Sequence, residues 1–163
     1  MEKEIIWIGN DHGGYTLKLR IIEYLKDKGY HVNDVGCDST EIVRYPYFAA
    51  KVAGAVSRGE AARGILICST GIGMSIIANK YKRVRASLCA TTYLAKMTRA
   101  HNDSNILCLG GKTTGEFEAL DILETWLTTE YLGGRHDISV GLIADAEQAM
   151  FGDYAWEPSG PMR

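Results

Sequence analysis

Two kinds of apolar segment alternate along the chain, and each kind predicts a different element of secondary structure. Short runs rich in β-branched residues predict five strands: Ile5–Gly9, His31–Val35, Ile65–Cys68, Arg85–Cys89 and Ile106–Leu109. Segments with helical spacing or helix-start signals predict six helices: Tyr15–Lys28, Pro46–Ser57, Met74–Asn79, Thr92–Ala100, Glu116–Thr128 and Ser139–Met150. Strands that alternate with helices are typical of an α/β fold, in which helices cover both faces of a parallel sheet.

The length of the chain, 163 residues, is that of one domain. We expect this domain to span residues 1–150 and to be followed by a C-terminal tail, residues 151–163. The tail contains Tyr154 and Trp156 and follows neither a helix pattern nor a strand pattern. It could pack on a neighbouring surface or form a mobile end.

Composition narrows the classes of function. Hydrophobic residues make up 46% of the chain and charged residues 23%, which is typical of a globular protein in water. A net charge of −2 argues against a dedicated binder of nucleic acid or of a membrane surface. No apolar stretch is long enough to span a bilayer, and the charged N-terminus has no signal-peptide pattern. We therefore expect a cytoplasmic protein without nucleic-acid or membrane partners.

Four polar segments adjoin the predicted strands. They are Gly9–Gly14, the Tyr45-Pro46 turn, Cys68–Gly73 and the segment around His101–Asp103. Ligands of open parallel sheets bind at the carboxyl ends of the strands. We therefore expect all four segments to converge on that edge of the sheet.

The segment Cys68–Gly73 is the most informative of the four, because a buried strand would deliver a thiol directly to a loop of small residues. Backbone N–H groups in such a loop bind anions. Cys68 could act as a general base or nucleophile, since the start of a helix favours a thiolate; it could also be a buried structural cysteine. The other cysteines, Cys37, Cys89 and Cys108, form no C-x-x-C pair, so we expect free thiols and no zinc site.

Other polar residues could assist such a thiol, and each has a simpler structural explanation. Asp11 and His12 could bind sugar hydroxyls and phosphate, or Asp11 could cap the following helix. His101 could transfer a proton near neutral pH, or it could be a favourable cation at a helix C-terminus. Arg135, in a predicted loop at residues 133–136, could grip phosphate or be solvated.

Taken together, these motifs resemble ribose-5-phosphate isomerase type B, a family that also includes the galactose-6-phosphate isomerase subunits. The segments that carry the resemblance are Asp11–Gly13, Tyr45-Pro46, Cys68–Gly73, Ala78–Lys80, His101–Asp103 and Gly133–His136. The resemblance implies a Rossmann-like three-layer α/β/α sandwich around a parallel sheet of about five strands. It also implies a homodimer, often paired into a tetramer, with active sites shared between subunits. No cofactor and no metal are implied.

The resemblance further implies how the residues would isomerise a phosphorylated sugar between its aldose and ketose forms. Cys68 would be the base that moves a proton between C1 and C2 through a cis-enediol. Some members have a glutamate where this chain has Met74, which cannot take a proton. His101 would assist ring opening. The groups that would stabilise the enediolate are Thr70 and the backbone N–H groups of Gly71 and Gly73.

Substrate binding is the part of the resemblance in which this chain departs from the family. The candidate binding residues are Asp11 for sugar hydroxyls, Asn102 for an enediolate oxygen, His12 and a partner subunit's copy of Arg135 for the phosphate, together with Tyr45, Ser69, Lys112 and Ser139. Members typically have glycine at Ser69, aspartate at Arg44, and arginine at both Lys112 and Ser139. The phosphate clamp is therefore altered, since lysine lacks the bidentate fork of arginine.

These residues favour a sugar-phosphate aldose–ketose isomerase, with ribose 5-phosphate and ribulose 5-phosphate as the first pair to test. One alternative is an isomerase of another phosphorylated sugar, such as a tetrulose phosphate, a hexose phosphate or galactose 6-phosphate. A second alternative is a non-catalytic subunit of a heteromeric isomerase. The altered clamp leaves the identity of the sugar open.

Overall fold

Five strands form one parallel sheet, as the alternation of elements predicted. The strands are β1 (Ile5–Asn10), β2 (His31–Asp34), β3 (Arg63–Cys68), β4 (Ala86–Leu88) and β5 (Ile106–Gly110). Their order across the sheet is β2-β1-β3-β5-β4, and every neighbouring pair is parallel. This computed structural model describes residues 4–151, so the predicted tail beyond Phe151, with Tyr154 and Trp156, lies outside the described residues.

Six helices were predicted, and each has a counterpart within residues 4–151. They are α1 (Tyr15–Asp27), α2 (Tyr45–Arg58), α3 (Ile72–Ala78), α4 (Thr92–Asn102), α5 (Glu116–Thr128) and α6 (Arg135–Phe151). A short 3₁₀ turn, His12–Gly14, precedes α1. Pro46 lies in the first turn of α2, where its missing N–H costs no hydrogen bond. None of the helices in this part of the chain has the length and apolarity needed to cross a bilayer.

The start of α6 corrects one prediction. The helix begins at Arg135 rather than Ser139, so Arg135 and His136 lie in its first turn instead of in a loop. The turn before it is made by Gly133 and Gly134, whose positive φ angles of 61° and 59° favour glycine. Asp137 follows in the first turn, where a negative charge suits the helix dipole.

The helices cover both faces of the sheet and give the three layers that were predicted. On one face, α2 and α3 pack through Val52 and Met74 against strand residues such as Leu66. On the other face, α1 and α5 pack through residues such as Ile21 and Trp126. Side chains alternate between faces along a strand. Cys68 therefore shares the face and the buried cluster of Leu66 and Met74.

The strand order reverses between β1 and β3. From β1 the chain moves to β2 on one side, and β3 then pairs with the other side of β1. Connections that leave two adjacent strands toward opposite faces open a crevice at their carboxyl ends, and this is where open α/β sheets bind ligands. Asp11 follows β1 and Cys68 ends β3, and the backbone N–H of Asp11 donates to the carbonyl of Ile67 over 3.1 Å. The crevice therefore brings the first and third predicted segments together.

Candidate active site

The loop after β3 folds its backbone around the thiol of Cys68. The N–H of Gly71 donates to the Cys68 Sγ over 3.1 Å, and the side chain is only 5% exposed. Gly71 has a φ of 77° and lies where a β-carbon would come within 2.9 Å of the Leu109 carbonyl carbon. Thr70 is exposed, and its Oγ1 accepts from the N–H of Ile72 over 3.3 Å. The thiol therefore lies at the start of α3, beside a hydroxyl that faces solvent.

The other three cysteines lie in environments that keep them as thiols. Burial raises the pKa of all three thiols. The pKa of Cys89 rises to about 12, and that of Cys108 rises well above its ordinary value. A thiol rather than a thiolate is a weak base and a weak nucleophile. This agrees with the prediction that they are free thiols. Met74 is fully buried in the same cluster as Cys68.

Asp11 and His12 form the β1 side of the crevice. Asp11 is 5% exposed, and its Oδ1 accepts from the N–H of Gly13 over 2.9 Å, so the predicted capping role is present. Burial raises the pKa of the Asp11 carboxyl, opposed by the Gly13 N–H and by the nearby charges of His12 and Lys112. The His12 Nδ1 lies 4.0 Å from Asp11 Oδ2 and 3.2 Å from the carbonyl oxygen of Val43. Contacts to two segments thus hold this imidazole.

Tyr45, Ser69 and Lys112 complete this side of the sheet. The Tyr45 ring packs against Gly73, where a β-carbon would come within 2.8 Å of the ring Cζ. The backbone N–H of Lys112 donates to the carbonyl of Ser69 over 2.9 Å. We call this group the strand-end cradle; its members are Asp11, His12, Tyr45, Cys68, Ser69, Thr70, Gly71, Gly73 and Lys112. The predicted convergence is therefore confirmed for three of the four segments.

The fourth segment, His101–Asp103, lies at the opposite edge of the sheet, so the prediction of a single shared edge is wrong. The segment precedes β5 instead of following a strand, and the carbonyl of Asn105 accepts from the N–H of Gly64 near the start of β3. Gly64 pairs with Ile106, whereas Cys68 pairs with Gly110. Four residues of strand, about 13 Å, therefore lie between the two edges.

A second group of candidate residues surrounds this segment. The imidazoles of His101 and His136 stack, with ring centroids 4.2 Å apart and planes inclined by 13°. Arg135 and Ser139 are exposed on the first turns of α6. We call this group the α4–α6 cluster; its members are His101, Asn102, Arg135, His136 and Ser139. One chain thus holds two separate groups of candidate residues, with the thiol in one and the stacked imidazoles in the other.

His136 is a residue of this cluster to which the motifs assigned no role. It belongs to the segment Gly133–His136, and its only signal there was an imidazole beside an arginine. Asn79, another motif residue, joins α3 to β4: its side chain donates to the carbonyl of Ala86 and accepts from the N–H of Ala86, each over 2.9 Å. Among residues 4–151, no group of three or more His, Cys, Asp or Glu side chains is placed to hold a metal ion.

The doubly wound fold and the polar cradle at its switch point define an α/β protein with a ligand site at the carboxyl ends of its strands. A profile described as Ribose/Galactose Isomerase matches residues 6–143, which is most of the chain. The chain belongs to this family.

Relatives and solved structures agree with this assignment. The chain is 44% identical over 143 residues to "Ribose-5-phosphate isomerase B" of Escherichia coli strain K12, covering 88% of this chain and 96% of that protein. It is 42% identical over 130 residues to "D-erythrulose-4-phosphate isomerase" of Pectobacterium atrosepticum, covering 79% and 86%. A solved structure of ribose-5-phosphate isomerase B from Clostridium thermocellum matches with a TM-score of 0.87 and 52% identity, covering 89% and 98%.

Proposed function

We propose that the protein interconverts ribose 5-phosphate and ribulose 5-phosphate without a cofactor, with Cys68 as the base. The observation that carries this proposal is the position of the Cys68 thiol at the switch point, where it accepts the N–H of Gly71. Relatives named as sugar-phosphate isomerases support the class of substrate.

The proposed chemistry moves one proton between adjacent carbons. The Cys68 thiolate removes the proton from C2 of the open-chain aldose, and the electron pair of that C–H bond forms a C1=C2 double bond. The carbonyl oxygen on C1 takes the negative charge, which gives a cis-enediolate. Cys68 then returns a proton to C1, and the proton of the C2 hydroxyl passes to the oxygen on C1, so that C2 becomes the ketone and C1 carries a neutral hydroxyl group. Thr70 and the N–H of Gly73 would face the developing negative charge, as an oxyanion hole does.

A second copy of the chain would supply the other half of the site. In this proposal the α4–α6 cluster of one subunit covers the strand-end cradle of the other, so His101 opens the sugar ring and Asn102 binds an enediolate oxygen. Arg135 and His12 would bind the phosphate. The exposed apolar residues of α6 support such an interface, since Ile138 is 70% exposed and Leu142 is 61% exposed. The four free cysteines suit the reducing cytoplasm.

A tetrulose phosphate is the second candidate substrate. Ser139 replaces a guanidinium with a hydroxyl, and Lys112 offers a point charge in place of a bidentate fork. The relative named as a D-erythrulose-4-phosphate isomerase supports a shorter sugar. A pentose phosphate and a tetrose phosphate share the reacting carbons and differ in the span between C2 and the phosphate. The altered residues of the phosphate clamp therefore affect which of the two sugars fits.

A panel of tetrose, pentose and hexose phosphates tests the proposal, with aldose–ketose exchange followed by NMR. We expect the fastest turnover with ribose 5-phosphate and a loss of about a thousandfold or more in kcat for Cys68→Ala. Cys89→Ala is the matched control, because Cys89 is a buried thiol outside the cradle. Full turnover by Cys68→Ala would contradict the mechanism. No exchange on any sugar, together with a melting temperature raised by one of them, would favour a non-catalytic subunit.

A further inference from the structure

We propose that His136 is a positioning residue, whose stacked ring holds the imidazole of His101 in one orientation. This inference rests on the proposed function, in which His101 opens the sugar ring. His101 lies in the last turn of α4 and His136 in the first turn of α6. The ring centroids are 4.2 Å apart and the planes are nearly parallel, at 13°. A flat neighbour at this distance restricts rotation of the ring and leaves the edge nitrogens of His101 free for a ligand.

The stack is the contact that fixes the ring of His101. Within residues 4–151 the structure records no hydrogen bond to a ring nitrogen of His101 or His136. A histidine that transfers protons is usually oriented by a hydrogen bond to its second nitrogen. Here the orienting contact comes through the face of the ring, so both nitrogens of His101 stay open.

The chain between α5 and α6 is built to hold His136 in this place. The N–H of Leu132 donates to the carbonyl of Ala100, the residue before His101, over 3.1 Å. Two glycines with positive φ then turn the chain into α6. The Tyr131 hydroxyl donates to Oδ1 of Asp137, the residue after His136, over 2.8 Å. The turn is therefore tied to α4 on one side of the stack and to the first turn of α6 on the other.

The charges around the pair favour a neutral His136 as the partner. Desolvation lowers the pKa of His136, and the neighbouring His101 and Arg135 lower it further, against the opposing effect of Asp137. At the end of α4, the carboxylate of Asp103 is paired with two arginines, Arg85 over 3.1 Å and Arg99 over 2.8 Å. Two stacked imidazolium ions would repel each other, so a neutral His136 can support a His101 that gains and loses a proton.

The kinetics of two substitutions distinguish a role of the His136 ring face from a role of its ring nitrogens. His136→Phe keeps a flat ring and removes the nitrogens, whereas His136→Ala removes the stack. We expect His136→Ala to lower kcat by about tenfold or more with KM within twofold, because small misplacements of a catalytic group are costly. His136→Phe should restore most of the lost kcat. An effect on KM alone, equal losses in both variants, or no loss in either would overturn the inference. His31→Ala is the control, since His31 is exposed at the start of β2.

NMR of the protein without substrate tests the pair independently of turnover. The chain has four histidines, so the ring signals are few. We expect a nuclear Overhauser effect between the rings of His101 and His136. His101→Phe should raise the pH midpoint of His136, because the neighbouring His101, which lowers the pKa of His136, is removed. Absence of both signals overturns the inference even if the wild-type protein isomerises sugars. Presence of both, with no isomerisation of any sugar, overturns the proposed function alone.

Discussion

Gly13 lies so close to Ser69 that a β-carbon at position 13 would come within 2.8 Å of the Ser69 backbone nitrogen and 3.0 Å of its Cα. Two loops of the cradle, one after β1 and one after β3, therefore touch through backbone atoms that cannot move aside. We expect Gly13→Ala to reduce the free energy of unfolding by about 1–3 kcal/mol and to lower kcat/KM, because the loops must separate. Urea unfolding and the isomerase assay measure the two effects.

Gly115 supplies the matched control for this substitution. It is the N-cap of α5, and a β-carbon there would meet no atom within 4 Å. Gly115→Ser should leave stability and turnover within error of the wild type, since serine is a favoured N-cap residue. If Gly13→Ala behaved like Gly115→Ser, the contact between the two loops would not matter for the site.

We expect the buried carboxylate of Asp11 to lower the free energy of unfolding at neutral pH. Its pKa is raised from 3.8 because burial disfavours the charge, so the folded state holds the proton more tightly than the unfolded state. Stability therefore falls as pH rises from 3.8 through the raised pKa and stays lowered above it. Asp11→Asn removes the charge and keeps an oxygen for the Gly13 N–H. We expect this variant to be more stable than the wild type at pH 7 and less active.

Thermal unfolding of Asp11→Asn and the wild type between pH 3 and pH 8 checks this prediction. The advantage of the variant should shrink as pH falls and should vanish below about 3.8, where the carboxyl is protonated in both states. An advantage that grew toward acid pH would contradict the sign of the shift.

Lys18 and Asp34 form an ion pair whose two ends differ in exposure. The Lys18 Nζ lies 2.9 Å from Asp34 Oδ2 and donates to the Cys37 carbonyl over 2.6 Å, and the side chains are 3% and 38% exposed. Asp34→Asn would leave a buried ammonium without its partner, at a cost of about 3 kcal/mol or more. Lys18→Met would leave a carboxylate that reaches water and a carbonyl without its donor, at about 1–3 kcal/mol.

Urea unfolding of the two single variants tests that order. Asp34→Asn should be the less stable, because the residue that remains is the buried one. The reverse order, or equal losses, would mean that the ammonium of Lys18 is solvated in the variant and that the asymmetry of the pair has no energetic consequence.

The sequence predicts helices well where they pack on the sheet and poorly where they do not. The helix predicted over Glu116–Thr128 has the same bounds in the structure, because its apolar residues form one buried face. The start of α6 was misplaced by four residues because this helix has no buried residue, so its apolar positions follow no stripe. Its beginning is set by the glycine turn before Arg135, which a periodicity argument does not consider.

The candidate site also has a part that the sequence predicts and a part that it does not. Cys68 and Asp11 were predicted at one edge because each follows a strand directly, and the direction of a strand in a parallel sheet decides which edge it ends on. His101 comes after a helix and before a strand, so the same reasoning, applied to its order along the chain, would have put it at the opposite edge. The stack of His101 on His136 could not be predicted, because it depends on how α6 lies against α4.

The placement of Cys68 and His101 at opposite edges leads to the sharpest test of a site shared between two chains. A dimer formed from a Cys68→Ala chain and a His101→Ala chain contains one site with both residues intact and one site with neither. Random exchange of subunits makes half of the dimers mixed, so a mixture of two nearly inactive variants should recover roughly a quarter of the wild-type activity. Exchange is followed by mixing differently tagged chains and assaying the sugar-phosphate panel.

A matched mixture identifies the cause of any recovery. Cys68→Ala and Thr70→Ala change residues of the same cradle, so a dimer of these two chains has a defect in each of its sites. That mixture should show no gain over its separate components, because no exchange of subunits can assemble an intact site. Recovery in both mixtures would point to stabilisation of the variants by mixing, and recovery in neither would mean that Cys68 and His101 do not meet across a subunit boundary.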